Sequence, residues 1–395
     1  MQYRLLRQDL HKIQQSNSLE KLSFKQLGTF FRQEEGITNY KPDGLCQIDP
    51  RTGEKIIFNS ARARRPHDNK AKVVSQNDSE DISCAICNGE TTGVIDVADL
   101  SEGFTFINKN LFPAVYPFKD IINFPSIEQQ WDETSFIKDI EIYGLHFLQW
   151  TSSFHNKDWN NMTLEDRIIV MKRLANLEKY LLTESKGYVS TNRLWGDNDH
   201  SGFVSIIKNH GRLVGGSLSH GHQQIMLTNV MPRVFYNNWR FQQENGITFS
   251  SYMLQNNPYD LLIRDYGEAV LVIPYFMRRP YEMMLILKNT SKKYIHQLSE
   301  AEMTAVVEGW YDATRSIYEI MPRIARELAY NIITHIGPGA GIYFEFRPYT
   351  QETGGFEHLG FLICNENPKD AALELRKVLV KLGMRELDAI ENNRY

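Results

Sequence analysis

Cysteine is scarce in this chain, with four in 395 residues. That is too few for a disulfide framework, so no stapled mini-scaffold is expected. An excess of one charge is also missing: Lys plus Arg number 44 against 48 for Asp plus Glu, a formal net charge of −4. A chain so near neutrality has no overall electrostatic footprint for nucleic acid, although a local basic pocket stays open. No apolar run approaches the roughly 18 residues needed to span a bilayer. The opening MQYRLLRQDLHKIQQ has neither the apolar stretch nor the small-residue cleavage site of a signal peptide. The expectation is a cytoplasmic protein with no membrane or nucleic-acid partner. Hydrophobic residues at 42% and charged residues at 23% exclude a disordered tail and a collagen-like fibre.

The length suggests two domains, at roughly 100–200 residues each. Residues 1–44 read as an N-terminal extension. Leu5, Leu6, Leu22, Leu27, Phe30 and Phe31 suit helical faces, but Lys, Gln and Ser dominate between them. Packing on the body and a role in assembly are both open. A short strand is expected around Lys55–Asn59, then a basic loop to Pro66 and a polar loop over 67–82. Beyond it one arrangement recurs. Strand-like GFTFINKN and IYGLHFLQW precede a helix capped by Thr163, and FVSIIKN and HQQIMLT follow. AVLVIP and YEMMLILK precede a helix capped at Ser299 with Glu302 three residues on, and YNIITHI, GIYFEFRP and a closing helix over 368–382 follow. This predicts an α+β fold of two pseudo-duplicated halves, 45–233 and 234–395, each an antiparallel sheet with packed helices.

The sharpest segment is Gly215-Gly216-Ser217-Leu218-Ser219-His220-Gly221-His222-Gln223-Gln224. On a strand His220, His222 and Gln224 share one face. The glycines would let backbone N–H groups approach an anion closely. The segment reads as a phosphate-handling strand with an imidazole to react; a solvent-facing polar stripe is the plain alternative. Cys84 and Cys87, as C-x-x-C, supply half of a tetrahedral zinc site. His220 is favoured to join them and His155 is the other reasonable choice. A thioredoxin-type redox pair is the competing reading, but that needs the pair to open a helix after a buried strand.

These residues resemble the galactose-1-phosphate uridylyltransferase group of the histidine-triad superfamily, ADP-glucose phosphorylases included, over roughly residues 45–385. The resemblance implies two histidine-triad-like halves, with Cys84, Cys87, His155 and His220 binding one structural Zn2+. It implies His222 as the nucleophile that becomes nucleotidylated and Gln224 as its glutamine partner. Arg62 and Arg65 of the basic loop match phosphate-contacting arginines. Asn110 in NKNLFPAV matches an asparagine near the nucleoside, Asn209 matches a second asparagine, and Ser217 matches a phosphate-holding serine. The motif usually carries proline between its histidines, where this chain has Gly221. Many members hold a second metal; here His335 matches one ligand position, but Tyr343 and Glu345 replace paired histidines, so one metal is expected and His335 is structural. Glu357 and His358 match a loop near the acceptor.

The implied activity moves a nucleoside monophosphate between a nucleoside diphosphate sugar and a sugar 1-phosphate or inorganic phosphate, through an adduct on His222. A phosphorylase acting on nucleoside diphosphate sugars or dinucleoside polyphosphates is an alternative; so is an idle nucleotide-sugar-binding regulator that kept the fold. Relatives of this kind are often homodimers. His146 and His200 read as packed or loop residues, and Cys46 and Cys364 as ordinary thiols.

Overall fold

Two central strands are buried at every position despite carrying polar residues, and this frames the architecture: Phe104–Lys109 and Gly144–Trp150. Such strands must be covered on both faces, and each inward polar group needs a partner. The computed structural model describes residues 3–49, 52–64, 84–117, 140–189, 191–192 and 197–383. Its chain forms two compact units that interleave in sequence. The first comprises Met1–Lys157, Lys172–Ile206 and His220–Asn237; the second comprises Asp158–Met171, Ile207–Ser219 and Asn238–Tyr395.

In the first unit β1 (Leu45–Ile48) lies antiparallel between β2 (Lys55–Phe58) and β5 (Ile140–Glu141). The main sheet runs β3 (Val94–Asp99), β4 (Phe104–Lys109), β6 (Gly144–Trp150) and β10 (His222–Thr228), all antiparallel. Its register sets Trp150 opposite both Phe106 and His222. The strands β7 (Thr191–Asn192) and β8 (Asp197–Ser201) form a separate ribbon. Helix Leu164–Glu184, whose first residues belong to the second unit and whose remainder from Lys172 belongs to the first, starts where expected, with the Asp166 N–H donating to the Thr163 hydroxyl at 3.2 Å.

The N-terminal extension packs on this unit. Helices Arg7–Ile13 and Phe24–Gln33 bury Leu10, Leu27 and Phe31 completely. The Leu19 N–H donates to Asp96 of β3 at 3.0 Å, and Asp96 also receives the Arg173 guanidinium. Lys109, fully buried at the end of β4, pairs with Glu34 and donates to Gln15 at 3.0 Å. Two charged strand residues that look misplaced in sequence are thus the anchors of the extension.

In the second unit β11 (Leu262–Asp265), β12 (Ala269–Val272), β13 (Met283–Leu287), β15 (Tyr343–Pro348) and β14 (Tyr330–His335) are antiparallel neighbours in that order. From Ile207 onward, β9 (Phe203–His210) pairs with β14. Helix Glu300–Arg323, closed by the Ser299–Glu302 capping box, packs on β12, β13 and β15. Helix Pro368–Lys381 packs beside β11. The result is the mixed helix and antiparallel-sheet fold expected.

Candidate active site

Tight turns bring four ligand-type side chains together. Cys84, Cys87, His155 and His220 place one ligand atom each within 4.8 Å of one another. His220 Nδ1 lies 3.7 Å from both sulfurs, and His155 Nδ1 lies 3.8 Å from Cys87 Sγ. A tetrahedral ion with S and N ligands at ordinary bond lengths has S···N edges of roughly 3.5 Å, so these residues fit zinc. The ring of His220 is oriented from behind, its Nε2 donating to the Ser152 carbonyl at 2.8 Å. Such an outer bond fixes which nitrogen faces an ion. Hydrogen bonds from Cys87, His155 and His220 hold the Cys84 thiol well below its ordinary value, against its burial; the hydrogen bond to Cys84 and burial push Cys87 up.

The strand β10 begins at His222, so His220 sits in the turn before it rather than on the strand face expected from sequence. His222 Nδ1 donates to the His220 carbonyl at 2.8 Å. The orienting group is thus a backbone carbonyl, one residue beyond the glycine–serine turn. With its proton on Nδ1, the ring carries its lone pair on Nε2. Trp150 packs against both rings, 5.4 Å from His220 and 4.7 Å from His222. Its indole N–H donates to Asn108 at 2.8 Å, which locks it.

A second group assembles around the turn after β4. Asn110 Oδ1 accepts from the Phe112 N–H at 2.9 Å, and the Phe112 carbonyl accepts from Arg62 at 2.7 Å. The Ala114 N–H donates to His146 Nδ1 at 3.0 Å, and His146 Nε2 lies 3.2 Å from Gln224 Oε1. Asn110, Arg62, Gln224 and His222 are therefore linked through one turn and two paired strands, β6 and β10. Sequence reading left His146 as a packed histidine because apolar neighbours flank it. The signal that finds it is the pairing of β6 with β10, which a single sequence does not display.

No family model matches the chain. The ADP-glucose phosphorylase of Arabidopsis thaliana is 23% identical over 369 residues, 87% of this chain and 95% of that protein. A uridylyltransferase structure matches with a TM-score of 0.64 at 15% identity, over 86% of this chain and 100% of that one. The crystal structure of an ADP-glucose phosphorylase from Arabidopsis thaliana with bound ADP-glucose gives 0.55 at 19% identity, over 84% and 97%.

By sequence the chain is similar to an ADP-glucose phosphorylase, and its fold matches that of a uridylyltransferase. Not every residue matched to the group is placed in the cluster just described. Arg65 lies outside the described residues. Asn209, Gly215, Gly216 and Ser217 belong to the second unit, where Asn209 Oδ1 accepts from Asn331 at 2.7 Å. The glycines need a correction: the Gly215 and Gly216 amides donate to the Arg212 and Gly211 carbonyls within the turn, at 3.2 and 2.9 Å. They shape backbone instead of offering donors to an anion. Gly215 adopts φ 84°, and a Cβ on Gly216 would meet the Gly211 oxygen at 2.7 Å.

In the second unit His335 Nε2 lies 2.9 Å from Glu345, which also receives Arg278 and Arg347 at 2.5 and 2.6 Å. Those guanidiniums and the histidine hold Glu345 well below the carboxylate range despite its burial. Glu357 and His358 lie in a short helix, with Glu357 accepting from the Gly354 N–H. A cavity of about 490 Å³ in the first unit, lined by Lys55, Ile57, Ile142, Met226 and Arg233, holds none of these groups. No helix among the described residues is long and apolar enough to cross a membrane.

Proposed function

We propose that the chain is a nucleotidyltransferase that carries a nucleoside monophosphate on His222. The observation behind it is the His222 Nδ1–H to His220 carbonyl bond, which leaves the reactive lone pair on Nε2. In the first step His222 Nε2 attacks the α-phosphorus of a nucleoside diphosphate sugar. The P–N bond forms, the P–O bond to the β-phosphate breaks, and sugar 1-phosphate leaves with the electron pair. In the second step an oxygen of phosphate or of another sugar 1-phosphate attacks the same phosphorus, and the P–N bond breaks.

Gln224 donates to a non-bridging oxygen, with Ser217 assisting, while Arg62 and Arg65 offset the diphosphate charge. Asn110 and Asn209 lie toward the nucleoside, and Gly215 and Gly216 set the turn that presents Ser217. Cys84, Cys87, His155 and His220 would hold one Zn2+, which would supply a structural cross-link. Because the His220 carbonyl orients His222, fixing His220 also fixes the aim of the nucleophile. We further propose that the two units are diverged copies of one histidine-triad-like module, that the protein is cytoplasmic, and that it assembles as a homodimer.

Phosphate as acceptor is the reading favoured by the 23% identical relative, an ADP-glucose phosphorylase. A panel of UDP-, ADP- and GDP-sugars, each with inorganic phosphate or a hexose 1-phosphate, tests the proposal. One pair should give phosphate- or sugar-phosphate-dependent nucleotide release that vanishes in His222→Gly. Binding of a nucleotide sugar without turnover under every acceptor would instead mark an idle regulator.

A further inference from the structure

We infer that His146 is a positioning residue for Gln224, fixing its carboxamide so that the NH2 group faces the phosphate. The inference rests on the nucleotidyl-transfer reading above and deepens it. A backbone N–H is only a donor, so the Ala114 N–H, 3.0 Å from His146 Nδ1, requires that nitrogen to accept. A ring whose Nδ1 accepts is neutral and carries its proton on Nε2. That proton lies 3.2 Å from Gln224 Oε1. Asn110 Nδ2 is equally near Nε2, at 3.2 Å, but Asn110 Oδ1 already accepts from Phe112. Asn110 therefore presents a second donor there, which makes no hydrogen bond to the ring proton and leaves Gln224 Oε1 as its acceptor.

The consequence is directional. A glutamine carboxamide has two nearly equivalent orientations related by a half-turn, and only its hydrogen-bond partners choose between them. With Oε1 engaged by His146, the NH2 group is turned the other way and meets an anionic oxygen as a donor. With the amide reversed, an oxygen would face that anion and repel it. Burial makes the choice firm: His146 is 4% exposed, so water does not substitute readily for the lost partner. The pairing of β6 with β10 sets His146 opposite Met226 and Leu148 opposite Gln224, which makes His146 the diagonal neighbour of Gln224 and within reach of it. His146 also ties the Asn110 turn to the strand carrying the nucleophile.

Two substitutions separate the ring's two bonds. In His146→Gln the amide nitrogen stands near the position of Nε2 and keeps a donor to Gln224. In His146→Asn the amide oxygen stands near Nδ1 and keeps the Ala114 bond but has no donor for Gln224. The measurement is the single-turnover rate of nucleotide adduct formation, with nucleotide-sugar affinity, zinc content and thermal unfolding recorded alongside. His146→Asn should slow the adduct step roughly tenfold to a hundredfold, below the full cost of deleting a charge-stabilising donor, with affinity changed much less. His146→Gln should recover most of that rate. In a Gln224→Ala background, His146→Asn should cost nothing further, because the residue it positions is gone. Equal rates for the two variants, or additive losses with Gln224→Ala, overturn the inference while leaving the transferase reading intact. A wild type that forms no adduct with any nucleotide sugar overturns both.

Discussion

At His222 a neighbour's main-chain oxygen decides which nitrogen reacts. The 2.8 Å bond to the His220 carbonyl needs no side chain, so the backbone at the motif's first histidine orients the ring of the second. His222 and Gln224 stand out by the spelling of the motif alone, whereas His146 does not, because its partners come from another strand and another turn. Residue chemistry also gives a pH dependence. His210, stacked 5.0 Å from Tyr330, is held down to about 4 by burial and by Lys208, against the pull of Asp158. Between pH 6.5 and 4 the unfolded chain binds a proton there that the folded chain does not, so stability falls as pH falls through that window. The loss is of order 2–3 kcal/mol. His210→Phe should narrow its stability gap to wild type by that amount between pH 6.5 and 4 in urea titrations. A constant gap would contradict the assignment.

Elements show what length and periodicity can and cannot reveal. The helix over Glu300–Arg323 and the strand His222–Thr228 follow from a capping box and a compact apolar run, both local signals. The N-terminal extension was legible only as amphipathic pieces, because its anchors, Asp96 and Lys109, lie far along the chain in β3 and β4. Glu34 is the partner whose loss leaves the buried Lys109 ammonium without its counter-charge. Glu34→Ala should therefore cost about 3 kcal/mol, and Glu34→Gln clearly less, since an amide oxygen still accepts. Urea midpoints at unchanged slope measure both; a cost below about 0.5 kcal/mol for Glu34→Ala would show that the extension is held elsewhere.

On the scale of the molecule, chain order and compact units disagree. Residues 158–171 and 207–219 belong to the second unit although both flank first-unit segments. Pattern reading assigns contiguous stretches, so it found the element order but not this exchange of segments. The Cys84, Cys87, His155 and His220 cluster crosses the sequence similarly, with Cys84 and His220 136 residues apart, yet C-x-x-C and H-x-H spacing advertised both ends. Cys87→Ser should drop bound zinc from about one per chain to near none and lower the melting temperature. It should also slow adduct formation roughly tenfold to a hundredfold, as disturbed metal shells do. Full speed in verified zinc-free protein would uncouple the metal from the nucleophile. The most direct measurement is the intact mass of the wild-type chain after incubation with a nucleotide sugar it turns over. A gain equal to one nucleoside monophosphate, acid-labile, mapped to His222 and absent from His222→Gly, is the predicted result. Turnover with no covalent species on that timescale, or an adduct that survives loss of His222, would contradict the account.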